Sequence, residues 1–428
     1  MNYIESVKWV ENRNIPLGEF TTDNIKKLLE LFDKPQDKYK VIHITGTNGK
    51  GSTASFLSNA LLANNLKVGK FTSPYITNIR EQVQINEDYI SEDDFTKIAN
   101  EVREKVEFLD SKEIYVSGFE IITSIAFIYF SKEKVDFGVI EVGMGGRVDS
   151  TNVMEKSIPV FCHISLDHVN ILGNNLHEIA KEKGGIIKEK SNVFSYPQEK
   201  EASDTLKKIS KEKNSNYNEF KIEEVKIISS RDNETVFNFR KHKNLKINLV
   251  GEYQAYNASL AITILDFLKD ELNLDEDLIK KGLENAKNIG RIECLSKNPT
   301  ILVDGSHNLD SVERLVENIK KFNYDKLILG FSLLKDKDHS HILKLVENIA
   351  DEIVITEIDN YRKTDLKDLE REFKEFSNKN IYAIKDREEA VSKTFELASE
   401  KDLILWCGSL YLIKDIRKII LDKIKKAD

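Results

Sequence analysis

The sequence predicts an α/β protein of two domains: a large P-loop domain with a doubly wound sheet, then a smaller Rossmann-like domain. Three observations predict it. Residues 41–53, VIHITGTNGKGST, run from a β-branched strand through a glycine-rich turn into a helical pattern. From there to about residue 200, apolar runs of strand length alternate with helical periodicity. After Lys297-Asn298-Pro299 the same alternation restarts. The expected domains are therefore residues 1–296 and 297–428.

A chain of 428 residues is long enough for two or three hydrophobic cores. Apolar residues make up 40%, charged residues 32%, and the formal net charge is −8. With no basic block, nothing favours a nucleic-acid partner. No apolar run approaches the ~20 residues of a membrane span. The opening MNYIESVKWV carries Glu5 early and has no apolar signal core. Cys162, Cys294 and Cys407 follow no ligand spacing and read as reduced, buried thiols. The expectation is a soluble cytoplasmic protein without a membrane partner.

The elements follow in order. Tyr3, Ile4, Val7 and Val10, then Ile25, Leu28, Leu29 and Phe32, recur at helical spacing. Between them, Asn14-Ile15-Pro16-Leu17-Gly18 is a loop. After the P-loop helix, residues 67–71 form a strand that Thr72-Ser73-Pro74 ends, because proline cannot continue a ladder. Residues 83–85 form a short strand. Ser91 caps a helix over about 92–109. Residues 118–132 are apolar on most of the helix surface, which predicts burial on both sides. Strands follow at 137–142, 160–164 and 191–194, with a helix over 176–189. Residues 200–250 carry alternating runs at 225–228, 235–239 and 245–249, an antiparallel patch at the edge of the first domain. Helices over about 255–269 and 275–285 close that domain. The second has strands at 300–303, 326–330, 352–356, 381–384 and 402–406. Helices are expected between them at about 310–322, 340–350, 366–377 and 387–400.

In open α/β sheets, ligands collect at the carboxyl ends of strands. A glycine turn between strand and helix lets backbone N–H groups converge on an anion, and the helix dipole adds positive charge. Lys50 would reach the terminal phosphates, with Ser52 as the nearby hydroxyl, since Gly51 follows the lysine. Ser73, Glu141 and His168 fall at or just beyond three other strand ends. Hydroxyl, carboxylate and imidazole are plausible Mg²⁺ or Mn²⁺ ligands where an ATP phosphate supplies the rest. Taken singly, each also reads as a turn cap, a solvated strand end or a structural histidine. Gly143-Met144-Gly145-Gly146 implies close backbone approach. Lys183-Gly184-Gly185 places two glycines inside the expected helix, at about 1–2 kcal/mol together. In the second domain, Asp304 and His307 end a strand in Val303-Asp304-Gly305-Ser306-His307-Asn308. There Asp304 could hold a ribose or base, and His307 could move a proton.

Taken in order, HITGTNGKGS (43–52), FTSPY (71–75), REQVQIN (80–86), FEIITSIAFIYF (119–130), EVGMGGRVDSTN (141–152) and LDHVNILG (166–173) form one series. IAKEKGGIIK (179–188), GEYQAYNA (251–258), GRIE (290–293), VDGSHN (303–308) and FSLLKDKD (331–338) continue it. The series resembles the folylpolyglutamate synthases and dihydrofolate synthases of the Mur ligase family. The similarity runs from about Ile15 to Leu412. It implies an ATP-dependent ligase that joins L-glutamate to a dihydropteroate or folate carboxylate through an acyl phosphate.

The resemblance also implies roles. Thr47, Asn48, Gly49, Lys50, Gly51 and Ser52 would hold the ATP phosphates. Asn257, Arg291 and Asp304 would make further ATP contacts, and His307 would lie near the phosphates. Ser73, Glu141 and His168 would be metal ligands for Mg²⁺, with two ions expected. Lys183 would be carbamylated. Pro16, Leu17, Gly18, Phe119, Thr123, Val148, Asp149 and Ser150 would contact the pterin substrate. Tyr75 departs from the family's histidine, Ser306 from an alanine and Gly184 from an alanine. The family is usually monomeric.

Two rivals stand beside this reading. Another Mur-type amino-acid ligase, such as a wall-precursor enzyme, would carry an extra N-terminal substrate domain, and only about 40 residues precede Val41. A nucleotide-binding switch without ligase activity would not need the Asp304/His307 motif or a modifiable lysine.

Overall fold

The computed structural model describes residues 1–13 and 21–427, whose strands gather into sheets of eight, three and six. The expected pterin contacts Pro16, Leu17 and Gly18 lie outside the described residues. By internal contacts the chain forms two units. The first comprises Met1–Ile228, Val236–Asn248 and Gln254–Lys287; the second comprises Ser229–Thr235, Leu249–Tyr253 and Asn288–Asp428.

The first unit opens with α1 (Tyr3–Glu11) and α2 (Asp23–Glu30). Then come β1 (Lys40–Thr45), α3 (Lys50–Ala63), β2 (Val68–Phe71), β3 (Val83–Ile85) and β4 (Asp88–Tyr89). Two long helices follow, α4 (Glu92–Asp110) and α5 (Gly118–Lys132), leading to β5 (Phe137–Glu141) and β6 (Ile158–Phe161). Next are α6 (Val169–Leu172), α7 (Leu176–Gly184), β7 (Asn192–Ser195), α8 (Lys200–Glu212) and β8 (Asn216–Glu219). The small sheet is β9 (Val225–Ser230), β10 (Thr235–Phe239) and β11 (His242–Ile247). Helices α9 (Glu252–Leu272) and α10 (Glu276–Asn285) complete the series.

The large sheet has the order β4-β3-β2-β5-β1-β6-β7-β8. From β2 to β8 neighbouring strands are parallel; β3 and β4 add an antiparallel edge. In β1 every residue after Lys40 is buried, as a central parallel strand covered on both faces requires. The chain leaves β1 toward β2 on one side and leaves β6 toward β7 on the other. The crevice at the carboxyl ends of β1 and β6 is therefore the switch point where ligands bind in such sheets.

Helix ends follow local chemistry. The Ser91 side chain accepts from the Asp94 amide, and Ser117 with Glu120 forms a reciprocal cap on α5. Ile121, Ile125, Phe127 and Phe130 of α5 join one core with α1, α2 and α4. Truncating Ile125 there to alanine costs roughly 2–5 kcal/mol.

Three expectations need correction, two in this unit and one, on Cys294, in the second. The expected helix over 176–189 stops at Gly184, with Gly185 as its C-cap. The two glycines thus end the helix rather than weaken its middle, and carry no interior penalty. Helix α8 and strand β8 were not expected. In α8, buried Ala202 and Leu206 are masked by the lysines and glutamates around them. Strand β8, Asn-Tyr-Asn-Glu, is an edge strand with no apolar run. Finally, Cys162 and Cys407 are buried free thiols, but Cys294 is exposed.

The second unit begins earlier than expected, with β12 (Glu293–Lys297) and β13 (Thr300–Val303). These strands are antiparallel and pair Lys297 with Thr300, so Asn298-Pro299 is a hairpin turn, not a linker. Then follow α11 (Leu309–Ile319), β14 (Leu327–Phe331), α12 (His339–Ile349), β15 (Glu352–Ile355) and α13 (Leu366–Lys374). Strand β16 (Asn380–Ala383), α14 (Arg387–Leu397), β17 (Leu403–Cys407) and α15 (Leu410–Ala427) end it. The sheet order is β12-β13-β17-β14-β15-β16, parallel from β13 to β16.

Candidate active site

The turn between β1 and α3 is built by its glycine and by the loop after β6. Gly49 caps α3 at φ +94°, where a side chain is strained. A Cβ there would also lie 2.5 Å from Oδ1 of Asn257, so buried Asn257 of α9 is seated on the turn. Thr47 and Asn48 donate their amides to the carbonyl of His163, at 2.8 and 3.2 Å. The Thr47 hydroxyl donates to the Ser165 carbonyl at 2.9 Å and accepts from the Ser165 amide at 3.0 Å. The amide of Thr53 closes the first helical bond, to the Gly49 carbonyl. Thr47 and Asn48 thus brace the turn with their amides, and Lys50, Gly51 and Ser52 form the first turn of α3.

Two lysines meet at one carbonyl. Lys50 Nζ donates to the Gly46 oxygen at 3.1 Å and to that of Thr47 at 3.3 Å. Lys183 Nζ donates to the same Gly46 oxygen at 3.0 Å. Lys183 is 4% exposed. Burial, then the charge of Lys50, lowers its pKa to about 7. Cys162, against Gly46, is pushed up to about 12 by burial and donates to the Thr53 hydroxyl at 3.3 Å. It packs there and is no nucleophile.

The glycine loop after Glu141 holds Lys183 in place. A Cβ on Gly146 would lie 2.7 Å from the Lys183 carbonyl, and one on Gly185 2.4 Å from Arg147 Cα. The Arg147 amide donates to the Glu182 carbonyl at 2.8 Å. Gly146 and Gly185 are where these two backbones touch.

Glu141 is buried at the end of β5, beside β1. Ser73 follows β2, the next strand over, and is half-buried. His168 is the residue before α6, held at φ +50°, with Oδ2 of Asp167 3.9 Å from its Nε2. Among the described residues, no three His, Cys, Asp or Glu side chains gather closely enough to hold a metal alone. Ser73, Glu141 and His168, the expected Mg²⁺ ligands, thus stand at or beyond three strand ends. Asp167 was missed from the sequence as a site residue. Its negative charge acts on Lys183, and its signal was an acid in the same post-strand segment as His168.

The residues expected to contact a pterin are partly brought together. The Phe119 ring lies 2.5 Å from where a Gly143 Cβ would be, and 6.2 Å from the Phe71 ring. Thr123 spends its hydroxyl on the Phe119 carbonyl at 2.7 Å. Val148 and Ser150 are half-buried. Asp149 is buried, with its carboxylate turned onto its own loop. The Tyr75 hydroxyl donates to Glu11 of α1; burial and that carboxylate hold the phenol well above its usual range.

In the second unit, Asp304 ends β13 and is buried. Its oxygens accept from the amides of Ile292, at 2.8 Å, and Ser306, at 2.7 Å. It therefore ties Arg291's segment to the end of β13. His307 Nδ1 donates to the Gly305 carbonyl at 2.9 Å, which fixes the ring on the turn after β13.

A strand, a glycine turn, a lysine and a helix N-terminus at a parallel sheet's switch point make the first unit a P-loop nucleotide-binding domain. Family models agree on what kind: the Mur ligase middle domain matches residues 44–265, and the Mur ligase glutamate ligase domain matches residues 290–410. The chain belongs to the Mur ligase family. It is 34% identical over 406 residues to the dihydrofolate synthase/folylpolyglutamate synthase of Bacillus subtilis (strain 168), covering 92% of this chain and 93% of the other. The folylpolyglutamate synthase of Mycobacterium tuberculosis, complexed with ADP, superposes with a TM-score of 0.90 at 26% identity, over 97% of this chain and 98% of that one. The folylpolyglutamate synthase of Thermotoga maritima gives 0.83 at 32% identity, over 97% and 96%. No described helix is long and apolar enough to cross a membrane.

Proposed function

We propose that this protein is an ATP-dependent ligase that forms an amide between L-glutamate and the carboxylate of a folate or dihydropteroate. The observation that carries this reading is the pair of lysines at the Gly46 carbonyl, one charged at a phosphate turn and one buried. The family membership and the named relatives support it.

Lys50 and the amides at the head of α3 bind the ATP phosphates. A carboxylate oxygen of the pterin substrate attacks the terminal phosphorus and ADP departs, which leaves an acyl phosphate. The neutral amine of L-glutamate then attacks the acyl carbon, loses one proton and expels inorganic phosphate. Here Lys50 and the helix end stabilise charge and orient the phosphates, which is most of the work in phosphoryl transfer. Bound Mg²⁺ would neutralise phosphate charge, with Ser73, Glu141 and His168 as its protein-side donors. His307 is proposed to act in proton transfer, and Arg291 and Asn257 to contact the nucleotide.

Lys183 has the chemistry for carbamylation. Only an unprotonated amine attacks CO₂, and an ordinary lysine is unprotonated roughly once in three thousand at pH 7. A pKa of about 7 leaves the Lys183 amine half neutral there. The carbamate would convert a buried base into a buried anion facing Lys50, a pairing that low dielectric favours. A monomer in the cytoplasm completes the reading.

The test is purified protein with ATP, Mg²⁺ and L-glutamate, given dihydropteroate and tetrahydrofolate in separate reactions. Mass spectrometry should show a glutamate-sized gain on at least one of them, with stoichiometric ADP. ADP release independent of both glutamate and pterin would overturn the reading.

A further inference from the structure

Side chains two apart on a strand share one face, and His43 and Thr45 of β1 both reach over to the glycine loop. The Thr45 hydroxyl donates to the Gly145 carbonyl at 2.7 Å. His43 is fully buried, and its Nε2 lies 2.8 Å from the Thr151 hydroxyl oxygen. That hydroxyl donates onward to Asp149 Oδ1 at 2.5 Å. A hydroxyl has one proton, so Thr151 must accept from His43, which is therefore the Nε2–H tautomer. Burial holds the imidazole neutral by lowering its pKa well below the usual range. Its Nδ1 is buried without a partner, so the ring is held for the single bond to Thr151.

The far end of this chain is the Asp149 carboxylate. Its Oδ1 accepts from the Thr151 amide at 2.9 Å and from the Thr151 hydroxyl. Its Oδ2 accepts from the Met144 amide at 2.9 Å. Burial raises the Asp149 pKa, and these donors oppose the rise.

We infer that His43, Thr151 and Asp149 are positioning residues, a buried relay by which the P-loop strand sets the glycine loop and, through it, Glu141 and Lys183. Asp149 acts on the loop amides. The route is continuous. The relay fixes the amide of Met144, Gly146 packs on the Lys183 carbonyl, and Lys183 returns to the P-loop at Gly46. This rests on the ligase reading for its kinetic consequence, though not for its structural one.

Two measurements test it on the whole protein. The first compares Thr151→Val, His43→Leu and their double variant in steady-state turnover. Each single change is expected to lower kcat about tenfold to a hundredfold, the usual effect of losing an orienting partner, with the pterin KM within about threefold. The double variant should be no worse than the poorer single, because the bonds lie in series. His43→Gln, which keeps a donor, and Thr151→Ser should recover most activity. A raised pterin KM at unchanged kcat, or multiplicative losses, would overturn the relay. The second is amide hydrogen exchange at Met144 without ligands, expected to be at least tenfold faster in Thr151→Val than in wild type. Unchanged exchange overturns the relay even if the wild-type protein shows no ligase turnover, an outcome that sinks the ligase reading alone.

Discussion

The amine of Lys183 and the carbonyl of Gly46 are 3.0 Å apart, although the two residues are separated by 137 positions in sequence. Lys50 donates to the same oxygen. Two amines on one carbonyl cannot both stay charged cheaply, and the buried one yields. A carboxylate built on Lys183 would relieve the repulsion that the unmodified amine suffers.

Lys183→Ala should therefore lose nearly all ligase turnover and regain part of it with small added carboxylates such as formate or acetate. Turnover of product by mass spectrometry checks this. An unaffected variant would rule out a carbamate.

Lys183 also sets a pH dependence of stability. Its folded pKa is about 7, against about 10.4 in an unfolded chain. Between those values the unfolded state binds more protons, so raising the pH favours the native state. In bicarbonate-free buffer, wild-type stability should rise relative to Lys183→Met from pH 7 to pH 10, by up to about 1.4 kcal/mol per unit. Below pH 7 the gap between them should be constant. Urea unfolding at stepped pH reads it; parallel curves would mean that the amine is charged when folded.

Lys50→Ala should abolish ADP formation, since it removes the side chain proposed to reach the phosphates. The fold should hold, because Lys50 contributes only bonds to the carbonyls of Gly46 and Thr47, the first of which keeps Lys183 as a donor. Near-normal ADP production by coupled assay would refute the phosphate role.

Gly49→Ala meets two obstacles, a φ of +94° and the Asn257 oxygen 2.5 Å from the new Cβ. Backbone strain of this kind costs about 1–3 kcal/mol. The expected result is a lower melting temperature with at least tenfold weaker binding of an ATP analogue by calorimetry. Asn257→Ala alongside Gly49→Ala should restore part of the stability by removing the clash.

Much of this was legible in the chain itself. The strand–turn–lysine–helix order around Gly49 and Lys50 is local, so residue types alone specify it. Periodicity found α4 and α5 nearly to the residue, because one is amphipathic and the other apolar almost all round. It missed α8 and β8, where lysine, glutamate and asparagine cover few buried positions. It also misjudged Gly184-Gly185, since a helix end and a helix interior share the same letters until the partner backbone at Arg147 is known.

The sequence by itself determined the P-loop, the alternation that builds two parallel sheets, and which residues fall at strand ends. Only the tertiary structure decided that Lys183 reaches Gly46, that the amides of Thr47 and Asn48 are occupied by His163, and that Asp149 turns onto its own loop. Those facts depend on distances between segments far apart in the chain. Burial and hydrogen-bond occupancy, which decide whether a charged group is free to do chemistry, exist only once the segments have packed.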